Sequence, residues 1–404
     1  MALAQGVKKE VRVKKEVTFG VAPGTGSAVL MRRVESSFDV VKDTYESAEI
    51  VTHQQVADFR HGARRVEGNL NGELSPTSYQ IFMEAMLRKA FAAGGTTGAQ
   101  TNITAAAGPP GTFTRAAGSY LTDGFKVGDV VRWTGWTTGG VANNARNYRI
   151  TALSATVMTT SGLNDEVVAA KASGDSVTCT VQGKKCFTPD TGQTNDSLSI
   201  EQWFPDITQS ELYRGIRLRS MAVSLPATGL ATISFGFLGQ DITRATSQYY
   251  ISPTAAATTG ILAAVSGSLR IGGVDYATVT GLEFTVDTEA SGLQVVGANI
   301  TPDVFVGRLK ARGQMTVAFE NAVLRDMFID ETEADIQAYF RLSSAVNSDF
   351  LSFYLPRVKA GGAQKSDGEQ SLIQTIPFVG LYQGAGGTGT TSDKTTFTIQ
   401  DSLL

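Results

Sequence analysis

A chain of 404 residues is long enough for two or three domains, each with a sizeable core. Charged residues make up 18% and aromatics 8%, with 43 glycines among many Thr, Ser, Val and Ala, the composition of a turn-rich β protein rather than a disordered one. A formal charge of −3 gives no support to a nucleic-acid-binding or membrane-surface protein, and no apolar run approaches the length of a membrane span.

Met1 to Glu16 is polar and carries Lys8, Lys9, Lys14 and Lys15. It lacks the apolar centre of a signal peptide and reads as a flexible arm of a cytoplasmic product. An apolar, Gly-rich stretch opens at Val17, and a strand-like run covers Leu30 to Val41. Lys42 to Ala63 is polar and predicts a loop containing Asp43, Tyr45, Arg60 and His61. Val66 to Leu74 resumes a strand. Ser75 and Pro76 then supply an N-cap and a first-turn proline. Tyr79, Phe82, Met83, Met86, Leu87 and Ala90 form one apolar stripe, which predicts a helix of about four turns packed on a sheet.

Ala92 to Gly111 is rich in Gly, Thr and Ala and reads as a linker. Beyond it, short β-prone segments at Val127–Trp133, Asn147–Leu153, Thr156–Thr160 and Ser176–Val181 suggest a small barrel or sandwich. Further strands are expected at Ser199–Trp203, Leu212–Val223 and Ala231–Leu238. Ser247–Gly273 reads as a joint, with a short helix expected near Glu320–Ile329 and a last strand at Thr395–Ile399.

The chain also resembles itself. Arg65, Gly68, Leu70 and Leu74 answer to Lys310, Gly313, Met315 and Phe319 at an offset of 245, which continues to Phe82 and Met83 against Met327 and Phe328. Phe237 and Gly239 answer to Phe378 and Gly380, and Leu212–Tyr213 to Phe353–Tyr354, at 141. The difference between 245 and 141 implies an insertion of 104 residues in the first copy, between Phe91 and the Trp203 region.

Catalytic patterns are missing. Val21–Ala28 imitates a phosphate-binding loop, but Ser27 stands where its Lys is needed and Ala28 where its hydroxyl is needed. Ala107–Thr114 lacks both the second Gly and the Lys. His53 and His61 are the only histidines, with no Cys nearby to complete a metal site or triad. Cys179 and Cys186 make no disulfide framework and read as buried small residues. The acidic run at Asp330, Glu331, Glu333 and Asp335 reads as a solvated face, and Trp133 and Trp136 as packing rather than a sugar platform. No catalytic residue, cofactor or metal is expected, and the chain does not read as an enzyme.

Val17–Gly26, Val34–Ser47 and Ala57–Leu74 resemble the tail tube proteins of long-tailed bacteriophages, and Gly124–Arg132 and Asn143–Ala152 resemble a module seen within such proteins. The resemblance implies a mainly β fold: two duplicated sandwich or barrel modules, each with a flanking helix, plus an inserted small β domain. The expected divisions are 1–92 and 196–246 for the first module, 93–195 for the insertion, 247–273 for a linker and 274–404 for the second module. It implies a virion tail protein assembled in the host cytoplasm, polymerising into stacked rings that pass double-stranded DNA. With two modules per chain, three chains would complete a six-module ring. Self-contacts, a tape measure protein, a tail terminator and tail-tip proteins are the implied partners, without membrane insertion. Asp43, Tyr45, Arg60, Arg64 and Arg65 are the candidates for contact between rings. A β-sandwich adhesin or capsid decoration protein that binds surface carbohydrate would share the composition and the lack of active-site residues, and a carbohydrate-active enzyme using unrecognised carboxylates is the other alternative.

Overall fold

Apolar and polar residues alternate along much of the chain and produce strands, and the computed structural model describes residues 3–53, 55–163, 167–366 and 371–404. The first half begins with β1 (Glu10–Lys15), β2 (Gly26–Leu30), β3 (Glu35–Glu46), β4 (Phe59–Glu73) and the helix α1 (Gln80–Leu87). Next come β5 (Ala92–Ala93), β6 (Ile103–Ala106), β7 (Gly111–Arg115), β8 (Val130–Thr134), β9 (Tyr148–Leu153), β10 (Val157–Gly162), β11 (Thr178–Val181) and β12 (Lys184–Phe187). β13 (Leu198–Phe204), β14 (Gln209–Pro226), β15 (Thr232–Gly239), β16 (Asp241–Ala245) and β17 (Ser252–Thr254) follow. The second half holds β18 (Gly267–Ile271), β19 (Val274–Tyr276), β20 (Val279–Asp287), β21 (Ser291–Gly292), β22 (Val304–Phe305) and β23 (Lys310–Ala318). It ends with α2 (Val323–Ile329), β24 (Ala334–Arg341), β25 (Phe350–Ala360), β26 (Gln364–Lys365), β27 (Ile373–Gly380) and β28 (Thr398–Asp401).

One antiparallel layer runs β3-β4-β15-β14-β20-β23-β27-β25. Its first four strands and its last four have like registers. Gly68 lies opposite Phe38 on one side and Phe237 on the other, as Gly313 lies between Phe284 and Phe378. The offsets 245 and 141 relate these glycines and Phe237 to Phe378. Tyr213 and Phe353, which pack on Phe38 and Phe284 at ring-centroid distances of 5.5 and 5.3 Å, match instead at 140. Both strands are bulged just beyond, between Tyr213 and Ile216 in β14 and between Leu355 and Val358 in β25.

A second layer covers one face of the first. It is built from β2-β1-β13 with the N-terminal part of β14 and β16, and from β19-β18-β24 with the N-terminal part of β25 and β28. Between the layers lies one apolar cluster into which α1 inserts Phe82, its ring 5.0 and 5.1 Å from those of Phe235 and Phe237. The helix is shorter than its stripe predicts. Ser75 bonds the Ser78 hydroxyl instead of capping, Tyr79 takes the cap position, and Arg88 at φ 60° ends the helix before Ala90. Tyr79, Phe82, Met83, Met86 and Leu87 are nevertheless all buried.

Two segments expected to be flexible are strands. β1 places Val11 and Val13 in the core and seats the Arg12 guanidinium on Glu10 and the Tyr250 carbonyl. Met1 and Ala2 of that predicted arm lie outside the described residues. Ala92–Gly111 contributes β5 and β6, because its glycines serve close approach rather than freedom: a Cβ at Gly95 would lie 2.7 Å from the Asp123 carbonyl oxygen. Within the expected joint, β18 pairs with β24.

β6 to β11 form a separate sheet in the order β11-β8-β9-β10-β7-β6, with its own cluster around Phe113, Trp133, Trp136, Tyr148 and Ile150. Both tryptophans are buried, so this pair offers no stacking platform to a sugar. This sheet is clamped to the second half rather than tethered beside it. Gln400 exchanges two 2.9 Å hydrogen bonds with the Val130 backbone, and Gln337 donates to the Gly128 carbonyl at 2.7 Å. Lys185 lies between Asp129 and Asp393 at 3.2 and 2.8 Å. Cys179 and Cys186 are free and buried, and burial pushes both thiols up.

Candidate self-assembly surfaces

The segment predicted as a loop from Lys42 to Ala63 is non-strand over 47–58, and its two ends form a two-stranded ribbon. β3 and β4 continue past the layer, with Thr44 opposite His61, Tyr45 opposite Arg60 and Glu46 opposite Phe59. A bulge between Lys42 and Thr44 separates this arm from the body of the layer. Only 47–58 is a turn, and Gln54 within it lies outside the described residues. The ribbon escapes sequence reading because it is exposed on both faces, so nothing selects an apolar alternation. Tyr45, Ile50, Val56 and Phe59 are exposed along it, with His61 edge-on to Phe59 at 5.0 Å.

The five predicted contact residues divide into two groups. Asp43, Arg64 and Arg65 sit at the root of the arm and are tied down within the chain. Asp43 accepts from Gln294 at 2.8 Å and from Arg65 at 3.1 Å, and these hydrogen bonds, Gln294's first, hold its carboxyl below the usual range. Arg65 also donates to Glu67 at 2.7 Å, and that bond is the first cause of its raised pKa. Arg64 is paired with Asp241 at 2.9 Å, while its backbone N–H donates to the Asn299 carbonyl. The segment 288–309 of the second half therefore braces the root of the first half's arm. Tyr45 and Arg60 face each other beyond the bulge, with Arg60 held against exposed Asp58 at 3.2 Å.

The borders of the eight-stranded layer are open. Among the described residues β3 pairs only with β4, and beyond Val358, which also pairs with Ala334 of β24, the Lys359–Ala360 end of β25, continued by β26, pairs only with β27. Inside the chain the corresponding borders are filled, since β14 pairs with β20 from Ser220–Asp287 through Pro226–Gly281. That ladder joins the halves.

The face of the layer turned away from the core is polar. Glu67, Asn69, Asn71 and Glu73 alternate along β4 with core-directed Val66, Gly68 and Leu70, with Asp39 and Ser234 beside them on β3 and β15, and Glu283 and Gln314 lie opposite each other on β20 and β23. Asn71 bridges Glu35 at 3.3 Å and Ser234 at 2.7 Å, and Ser224 donates to Glu283 at 3.1 Å. Arg65 and Lys310, at equivalent places, each lie against a carboxylate, Glu67 and Glu289. Apart from Arg65, expected at the contact between rings, these residues were given no role from sequence, although the alternation in β4 was visible there.

A protein-family model described as phage tail tube protein matches residues 6–380. A search of curated proteins finds no match.

Proposed function

This chain belongs to the phage tail tube protein family, and from that premise we propose how its two halves build a tube. The family makes it a structural protein of the virion tail that assembles with itself. Three copies close into a ring with pseudo-sixfold symmetry, and rings stack into the conduit through which double-stranded DNA leaves the capsid. The observation that carries this reading is the layer itself: two similar quartets of strands joined at β14–β20, each outer border having, among the described residues, a strand partner on one side only. Exposed borders invite pairing, and a closed barrel removes them.

In this reading 1–92 with 196–246 form the first module and 274–404 the second. Residues 247–273 join them, β18 being counted with the second sheet it enters. Residues 93–195 lie on the outer wall, where their bulk leaves the passage clear. The polar face of the layer lines the lumen. Lysines or arginines free on that face would hold DNA through counterion release, whereas carboxylates and paired cations let it slide; exposed Arg312 is a cation on that face outside the ion pairs named above. The arm beyond Asp43 reaches the next ring. The tape measure, terminator and tip proteins meet the tube at its bore and ends, and assembly takes place in the host cytoplasm. Negative-stain microscopy of the purified protein at high concentration is the test: rings or tubes are expected, and uniform globules would refute the reading.

A further inference from the structure

We infer that the seam closing one chain onto the next is a copy of the β14–β20 ladder, and that β3 of one subunit pairs antiparallel with the β25–β26 border of its neighbour in a register the chain already contains. The inference rests on the ring reading above and adds the residues that meet.

The equivalences come from pairing. Phe38 and Phe284 are the residues opposite Gly68 and Gly313, so β3 corresponds to β20 at an offset of 246. Leu238 lies opposite Arg217, and its counterpart Val379 lies opposite Lys359. Likewise Ile233 lies opposite Val223, and Gln374 opposite Lys365. Both comparisons relate β14 to β25–β26 at an offset of 142. The internal ladder pairs Met221 with Val286, Ala222 with Thr285 and Val223 with Phe284. Carried to the borders, it pairs Ala363 with Val40, Gln364 with Asp39 and Lys365 with Phe38. The inside–outside alternation is kept, since Val40 and Phe38 point to the core as Val286 and Phe284 do.

The border strand has the form of one awaiting its partner. β14 is continuous where β20 braces it, whereas its counterpart is broken between Ala360 and Gln364 by Gly361, Gly362 and Ala363. Lys365 stands where the internal ladder has buried Val223, and its ammonium rests 3.6 Å from the Phe319 ring centre. A lysine and a glycine break on a border strand discourage indiscriminate pairing, so a free subunit stays soluble until a matching β3 arrives.

The test uses cysteines at Asp39 and Gln364, both exposed in the single chain, in a protein whose own two cysteines are buried. Directly opposed residues of an antiparallel pair have Cα atoms roughly 4.5–5.5 Å apart, within disulfide range. In rings assembled under reductant and then oxidised, Asp39→Cys/Gln364→Cys is expected to give covalent species of three chains. A mixture of the two single variants is expected to give linked pairs and nothing larger. Asp39→Cys/Ser366→Cys and Asp39→Cys/Gly362→Cys, displaced by two residues in opposite directions, should stay unlinked. Ala222→Cys/Thr285→Cys, whose pairing is observed within the chain, calibrates the yield. Rings that link only through a displaced pair, or not at all while the internal pair links, overturn the register and leave the ring reading intact. Wild-type protein that forms no rings overturns both. Should the double variant not assemble, a density map of the wild-type seam decides, with Lys365 opposite Phe38 expected and any other register contradicting it.

Discussion

Gly68 and Gly313 are positions where any side chain would collide with what holds the layer together. A Cβ at Gly68 would lie 2.4 Å from Phe38 Cδ1 and 2.6 Å from the Ser37 carbonyl oxygen. At Gly313 it would lie 2.4 Å from Phe378 Cζ and 2.5 Å from the Glu283 carbonyl oxygen. Cross-strand aromatic rings occupy the space each glycine leaves. Gly68→Ala and Gly313→Ala are each expected to cost about 1–3 kcal/mol in denaturant titrations, and unchanged midpoints would contradict the packing. The glycines themselves were legible as matching positions, but their purpose was not, because the rings come from strands distant in the chain. Asp401 illustrates chemistry that sequence does not reveal at all. Burial pushes its carboxyl up to about 6, against hydrogen bonds donated by the backbone N–H groups of Thr77 at 2.7 Å and Leu403 at 3.0 Å. A carboxyl raised on folding binds its proton more tightly in the folded chain, so stability is lost as pH climbs from about 4 through about 6. Asp401→Asn should therefore gain on the wild type by on the order of 2 kcal/mol between pH 4.5 and 7. A difference independent of pH would show that the group is not shifted.

At the scale of elements, the strands with one buried face were readable and the ribbon was not. Val66–Leu74, Leu212–Val223 and Ala231–Leu238 alternate or are continuously apolar and coincide, to within a residue at their ends, with parts of β4, β14 and β15. Beyond Asp43 the same strands lose their buried face, and with it the pattern. α1 was readable by its stripe, whereas its ends were not, because they are set by the Ser75–Ser78 turn and by Arg88 at φ 60°. The arm is joined to the layer by the Asp43, Arg64 and Arg65 contacts, which leaves its outer part for the proposed contact with another ring. Replacing 47–58 by a tight turn should leave the melting transition near that of the wild type, since this segment buries little. The same variant should form rings that fail to stack, as seen by electron microscopy. Normal tubes from it would remove the arm from the contact between rings.

Across the whole molecule, the repeat was visible because Gly68, Gly313, Phe237 and Phe378 hold like places in one layer, so their spacing is conserved by geometry within the chain. The extra sheet was visible through its short β-prone segments. Its attachment was not, because Gln400, Gln337 and Lys185 act across long sequence separations. Among the described residues that clamp binds the extra sheet to the second half, so the two halves of a chain are similar but not interchangeable, and the proposed ring would be threefold in detail. Cryo-electron microscopy of the assembled tube tests this most directly. Three chains per ring are expected, their layers joined edge to edge into one barrel and the extra sheets projecting at three sites. Six chains per ring, or chains that share no strand ladder, would contradict it.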